Sequence, residues 1–327
     1  MRSGKQSVGE FDLIARLVKG MRLSARAILG PGDDCAILAP AKRPQLFTID
    51  SMVEGVHFRL EWGTPEELGA KALSVNLSDI AAMGGKPVAC VINLGVRDGL
   101  AANFFDRLYR GIKQVAAKYQ TDVVGGNVTR SDQLSITIAL LGDASEGVMR
   151  RDRARVGDDI FVTGTLGDSA AGLAILSGKM KAGTVARTFL IERHLNPTPR
   201  IEAGLALAKI RPAPAAIDIS DGLLQDLGHI LKRSRVGAEI DAPTIPVSDS
   251  YRATMGDDLT LALSGGEDYE LLFCARSGHS ERKLTTALGV PVRRIGKIVK
   301  GTRTTLRGNQ NLLTPKFRGW DQLRARS

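Results

Sequence analysis

The 327-residue sequence predicts a two-domain α+β (mixed α/β) protein, each domain a mixed sheet packed with helices. Three observations carry this. The length suits two domains of ordinary size. Strand-like apolar runs and stretches of helical periodicity are mixed in both halves. A basic stretch, Arg150, Arg151, Arg153 and Arg155, separates the halves. It places the boundary within 144–150, with one domain over 1–147 and the other over 148–327.

The elements follow in order. Phe11, Ile14, Ala15 and Val18 recur at helical spacing, and Gly20 can stop that helix. After Gly30-Pro31-Gly32-Asp33-Asp34, the runs CAIL at 35–38 and LFTI at 46–49 read as strands. Thr64-Pro65-Glu66-Glu67 is a helix start, with Thr64 as N-cap, Pro65 in the first turn and Glu67 closing a capping box. That helix runs to about Met83, with Leu73, Leu77, Ile80 and Ala81 as its apolar stripe and Asn76 and Asp79 on another face. PVACVINLGV at 87–96 is a buried strand, Phe105 to Tyr119 a second helix, and 122–124 and 134–141 are strands. The second half opens on strand DIFVTG at 159–164 and helix DSAAGLAIL. Another helix starts at Thr198-Pro199. Strand AAIDIS at 215–220 precedes helix LLQDLGHILKR, and strands follow at 269–275 and 292–299.

Apolar residues are 43% and charged residues 24% of the chain, ordinary values that argue against long disorder. The 45 basic less 35 acidic side chains leave a net charge of +10, which favours anionic partners. Aromatics are only 5%, a poor fit to base-stacking single-strand binders. No apolar run is long enough for a membrane-spanning helix, and the first ten residues lack a signal-peptide core. Cys35, Cys90 and Cys274 lie far apart without C-x-x-C spacing, so reduced thiols in a cytoplasmic protein are expected.

The chemistry gathers where elements meet loops: Asp33-Asp34, Asp50 at a strand end, Asp79 on a helix, Asp218-Ile219-Ser220-Asp221 and Gly265-Gly266-Glu267-Asp268. Carboxylates beside glycines suit hard cations, and glycine amides let a phosphate approach. In the Asp218 fragment one carboxylate ends a buried strand and another opens a helix whose N-terminal amides favour anions. Thr163-Gly-Thr-Leu-Gly-Asp168 is loop-like, but Asp168 would repel phosphate and serves better as an N-cap. The four arginines read either as a solvated interdomain loop or as an anion clamp. His57 is read as buried and hydrogen-bonded. His194 and His229 are read as structural or surface groups, and no histidine has metal-ligand spacing. Gly172 to Met180 misses the phosphate-loop pattern by one residue and by Met180, and no Gly-x-Gly-x-x-Gly follows a strand.

Taken together, GPGDDCAIL, DSMVEGVHF, KALSVNLSDIAAMGGKP, VGGN, VTGTLGDSAAGLAIL, IDISDGLLQDLGHI and LSGGEDYELLF closely resemble the thiamine-monophosphate kinase family, over Gly9 to Trp320. The resemblance implies the aminoimidazole-ribonucleotide-synthetase-like fold and transfer of the ATP γ-phosphate to thiamine monophosphate. It implies a homodimer formed through the N-terminal domain and several magnesium ions, with no nucleic-acid or membrane partner. By the same resemblance Asp34, Thr48, Asp50, Asp79, Asp218 and Asp221 are magnesium ligands. Gly126, Asn127, Arg151 and Ser220 are ATP contacts. His57, Glu267 and one of Phe317 or Trp320 contact the substrate. Two departures stand out. Where the family often has Thr-Asp, this chain has Ile49-Asp50, leaving Ile49 only its backbone carbonyl as a ligand. Where the family has Gly-Gly-Asp, this chain has Gly125-Gly126-Asn127, so Asn127 offers a carbonyl oxygen to a metal without the charge.

The chemistry fits these residue types. The acceptor is a phosphate monoester, largely dianionic near neutral pH, so no acid or base residue is expected. The remaining task is to align two anions in line, which metal ions held by carboxylates achieve. The alternatives are another ATP-using synthetase of the superfamily, of the aminoimidazole ribonucleotide or selenophosphate type, or a non-catalytic thiamine-phosphate sensor.

Overall fold

The computed structural model describes residues 10–21, 23–32 and 34–308. Among the described residues, those from 10 to 76 and 87–143 form one compact unit, and 77–86 with 144–308 form the other.

The first part of the chain runs α1 (Glu10–Val18), β1 (Ala27–Leu29), β2 (Ile37–Leu38), β3 (Gln45–Val53), α2 (Pro65–Ala82), β4 (Gly85–Val96), α3 (Ala102–Lys118), β5 (Asp122–Arg130) and β6 (Ser135–Ala144). The capping box of α2 forms as expected. The Thr64 N–H donates to Glu67 Oε2 at 2.6 Å, and the Glu67 N–H to Thr64 Oγ1 at 3.2 Å. β3, β6, β4 and β5 make one sheet in that order; β3 and β6 are antiparallel, β4 and β5 parallel. Period-2 alternation divides its faces. Met52, Ile136, Ile138, Leu140, Ile92 and Leu94 are buried, as are Phe105, Leu108 and Ile112 of α3. The other face leaves Phe47 73%, Ile49 61% and Val91 42% exposed.

Helices α2 and α3 touch backbone to backbone within the first unit. A Cβ on Gly111 would collide with the Glu66 carbonyl, and one on Gly69 with the Leu108 carbonyl. Only glycine permits this approach.

The second part continues with β7 (Asp159–Thr163), α4 (Asp168–Leu176), α5 (Thr184–Leu195), α6 (Ile201–Leu207), β8 (Ala215–Asp218), α7 (Leu223–Ser234) and β9 (Gly237–Asp241). It ends with α8 (Asp249–Met255), α9 (Thr260–Ser264), β10 (Leu271–Ala275), α10 (Glu281–Leu288), β11 (Val292–Val299) and β12 (Thr304–Arg307). Six strands pair in the order β12-β9-β11-β7-β10-β8, antiparallel except for β12 against β9. Ile160, Val162, Ile217, Leu272 and Cys274 share one core with Leu190 of α5, Leu227 and Ile230 of α7 and Tyr251 of α8. Phe161 and Phe273, paired across the same strands, stack with ring centroids 5.2 Å apart. All three cysteines are free thiols, with Cys35 exposed. Among the described residues no helix is long and apolar enough to cross a membrane.

Several elements depart from expectation. β3, β5 and β6 run further than their apolar cores, because pairing carries polar residues such as Asp50 and Arg130 along the ladder. β1, α5, β9, α8, α9, α10 and β12 are additional to the expected elements. TVARTFLIERHL in α5 has no clean apolar stripe, and β9 and β12 are short strands whose pairing comes from elsewhere in the chain. Asn76, expected on a polar face, is fully buried.

Gly111→Ala separates helix propensity from packing. Propensity alone favours alanine by about 1 kcal/mol. The clash with a backbone carbonyl costs more, so a net loss of about 1–3 kcal/mol in urea denaturation is expected. A stabilised variant would show that α2 and α3 can separate freely.

Candidate active site

In the first unit, Thr48 and Asp50 lie on β3 opposite the buried Leu140 and Ile138, with Thr48 half-buried and Asp50 exposed. The Asp50 N–H donates to Asn76 Oδ1 at 3.1 Å, and Asn76 Nδ2 donates to the Ala72 carbonyl at 3.0 Å. A buried amide thus ties β3 to α2 at the position of the predicted ligand. Asp34 sits in an exposed bend. His57 is half-buried, and its Nδ1 accepts the Val53 N–H at 3.1 Å, which closes the turn after β3. Gly126 pairs with Ile92 and Asn127 with Asn93. Asn127 Nδ2 donates to Asn93 Oδ1 at 2.9 Å and to Thr129 Oγ1 at 2.8 Å. Asn127 therefore shares the open face of Asn93 and Val91, whereas Asp50 shares the face of Ile138.

In the second unit, two distant segments meet at Asp218. The Ser78 hydroxyl, buried on α2 beside Asp79, donates to Asp218 Oδ2 at 2.7 Å. This bond links residues 140 apart in sequence and brings the Asp79 and Asp218 positions together. After Asp218 the chain turns through Ser220 and Asp221 into α7. Gly222 holds φ 120°, a left-handed value that favours glycine, and a Cβ there would strike Ser264.

The amides of this turn are occupied. Asp226 Oδ2 accepts the N–H groups of Ser220, Asp221 and Gly222 at 3.1, 3.1 and 3.0 Å. Burial and the neighbouring Asp221 charge push the Asp226 carboxyl up to about 7, against the pull of those three donors. The helix start expected to attract a phosphate thus already holds a carboxylate of its own. The turn is instead suited to presenting carboxylates to a cation. Asp221, Asp226 and His229 bring ligand atoms within 4.8 Å of one another. The expectation that no histidine had ligand spacing missed this, because α7 closes the gap from residue 221 to 229.

A second carboxylate seals the other loop-like segment. Gly167, with φ 82°, is the N-cap of α4, and Asp168 is its first helical residue. Asp168 is therefore not the cap that its position suggests; its Oδ1 accepts the Ser248 hydroxyl at 2.6 Å. The amides of Gly167 and Ser169 go to Asp268, at 2.7 and 3.3 Å. Burial lifts the Asp268 carboxyl well above its usual range. Next to it, Glu270 is fully buried against Arg200, against Arg193 at 2.9 Å and against Thr163 Oγ1 at 2.7 Å. Burial would raise Glu270, but Arg200 and Arg193 offset it and hold the carboxyl below its usual range. Sequence reasoning missed Ser78, Asp226, Glu270, Arg193 and Arg200. A carboxylate in the first turn of α7 was the one available hint.

The arginine stretch is divided. Arg150 pairs with Asp152, and the carbonyl of Arg151 accepts the Ser234 hydroxyl at 2.7 Å. Gly172 lies inside α4, packed against Leu190 of α5, so the near-miss phosphate loop begins within a helix and ends in the turn after it. Phe317 and Trp320 lie outside the described residues.

Residues 32–144 match the family described as AIR synthase related protein, N-terminal domain, and residues 155–309 match its C-terminal domain. The chain is thus a two-domain protein of the AIR-synthase-related class. Thiamine-monophosphate kinase of Haemophilus influenzae is 43% identical over 306 residues, 89% of this chain and 90% of that protein. The crystal structure of thiamine-monophosphate kinase from Stenotrophomonas maltophilia superposes with TM-score 0.80 at 36% identity, over 91% of this chain and 95% of that one. The solved complex of AaThiL with AMPPCP and TMP gives TM-score 0.75 at 36% identity, over 96% of each chain. The chain belongs to the thiamine-monophosphate kinase family.

Asp226→Ala strands three amides at once. An unfolding free energy lower by about 2–4 kcal/mol is expected in urea. Wild-type stability in that variant would mean the turn is held by something other than Asp226.

Proposed function

We propose that this protein transfers the γ-phosphate of ATP to thiamine monophosphate, giving thiamine diphosphate and ADP, in a magnesium-assisted reaction. Family membership supports the substrate pair. The second unit adds the observation that carries the mechanism. Both helix starts resembling phosphate loops are filled by internal carboxylates, Asp226 and Asp268, while Asp218 and Asp221 stand at a strand end. Phosphates are then held through cations bound to carboxylates, not through amide cradles.

The proposed magnesium ligands are Asp34, Thr48, Asp50, the Ile49 carbonyl and the Asn127 side-chain carbonyl in the first unit, and Asp79, Asp218 and Asp221 in the second. This all-oxygen set suits a hard cation. When bound, magnesium supplies charge neutralisation between the two phosphates. Ser78 fixes the rotamer of Asp218, Asp226 fixes the turn that carries Asp221, and Asn76 fixes the backbone at Asp50. Gly126, Asn127, Arg151 and Ser220 are proposed for ATP, and His57 and Glu267 for thiamine monophosphate. The acceptor phosphate oxygen is already ionised near neutral pH, so transfer needs no protein base. The working place is the cytoplasm, in keeping with three free thiols.

Chromatography of the thiamine species tests the reaction. One thiamine diphosphate per ADP is expected with magnesium, and none with excess chelator. Binding of thiamine monophosphate without product would favour the sensor reading. At Asn127, an Asn127→Asp variant is expected to need less magnesium for half-maximal rate; an identical titration curve removes Asn127 from the metal site.

The open face of the first sheet supports a homodimer. Phe47, Ile49 and Val91 form an apolar surface of the kind that marks an interface. Phe47→Asp combined with Val91→Asp is expected to sediment as a monomer where wild type sediments as a dimer. A monomeric wild type would refute the dimer.

A further inference from the structure

We propose that His194 is a positioning residue for the Glu267 carboxylate, and that through it His194 sets affinity for the cationic heterocycle of the acceptor. This rests on the kinase reading above. The segment Glu267 to Glu270 is folded under strain. Glu267 and Tyr269 hold φ of 65° and 51°, left-handed values that are strained for a non-glycine residue. Backbone bonds keep them there. The Glu267 N–H donates to the Ser220 carbonyl at 2.8 Å, and the Tyr269 N–H to the Ile219 carbonyl at 2.9 Å.

That backbone sorts the three acids of the segment. Asp268 turns inward onto the start of α4, and Glu270 turns inward onto Arg193 and Arg200. Glu267 keeps a side chain 25% exposed, with Oε2 3.3 Å from Nδ1 of His194. The His194 side chain is itself only 2% exposed. Ionised Glu267 can only accept, so the contact is a hydrogen bond in the tautomer that carries the proton on Nδ1. In that tautomer Ser169 Oγ, 3.0 Å from the same nitrogen, is a second acceptor on it. Helix α5 therefore delivers two neighbours to one strained loop: Arg193 against Glu270, and His194 against Glu267.

A carboxylate with one oxygen pinned by a buried N–H keeps a single direction for a cation. The acceptor carries a quaternary thiazolium and an aminopyrimidine, both suited to a fixed acceptor oxygen. ATP offers no comparable cation. The consequence of losing His194 thus falls on the binding of one substrate and spares the transfer step.

Two variants test this, with steady-state kinetics for each substrate and a thermal melt of each protein. In His194→Leu, KM for thiamine monophosphate is expected to rise about tenfold or more, with kcat and KM for ATP within about threefold of wild type. In His194→Asn the amide nitrogen falls near the place of Nδ1, so most of the lost affinity returns although the ring is gone. The proposal is overturned if His194→Leu leaves KM for thiamine monophosphate within about twofold of wild type, if KM for ATP rises in parallel, or if asparagine does no better than leucine. Wild-type turnover is measured first. Its absence sinks the kinase reading and this inference together, whereas turnover with an unmoved KM sinks only the role of His194.

Discussion

The ladder between β8 and β10, prolonged past both strand ends, is the constraint on which the second unit depends. In register it pairs Ile217 with Leu272 and Asp218 with Leu271. Beyond the strands, the Ile219 N–H donates to the Glu270 carbonyl at 2.8 Å, and the bonds from Glu267 and Tyr269 continue the ribbon. The turn at 218–221 and the acidic loop at 265–270 are therefore one object. Moving either would break bonds in both. The left-handed residues of the loop persist because this pairing over-determines them.

Acidic side chains do two jobs in this unit, and burial separates them. Asp226, Asp268 and Glu270 are buried and spend their oxygens on backbone amides or on arginines. Such groups hold helix starts and loops in place, as charge-assisted bonds in a water-poor setting do. Asp221 and Glu267 stay partly open to solvent. A unit built this way keeps rigid supports beneath the carboxylates left to work. It also explains how a chain of net charge +10 can hold so dense a cluster of acids without its mutual repulsion unfolding it.

Much of this was legible in the sequence. The two-domain α+β class followed from the mixture of periodicities, and the α2 capping box from four residues. The carboxylates beside glycines fall in the turns at 218–221 and 265–270. Tertiary partners were not legible. Asp168 has the sequence appearance of a cap, but Gly167 holds that position, and the carboxylate that takes the first amides of α4 is Asp268, a hundred residues later. Ser78 looked like one more small residue in a helix, and its hydroxyl meets Asp218 only once the second unit has assembled. His194 fitted a structural reading until α5 placed it against Glu267. Sequence periodicity reports which face of an element is apolar. It is silent on which polar group from elsewhere arrives at the other.

On this reading the carboxylates at strand ends hold cations that in turn hold phosphate. Crystals grown with manganese and a non-hydrolysable ATP analogue test it most directly, by anomalous diffraction. Manganese peaks are expected against Asp218 and Asp221, with nucleotide phosphate oxygens completing their coordination. Phosphates seated on the amides of 164–169, with no manganese at either aspartate, would contradict it.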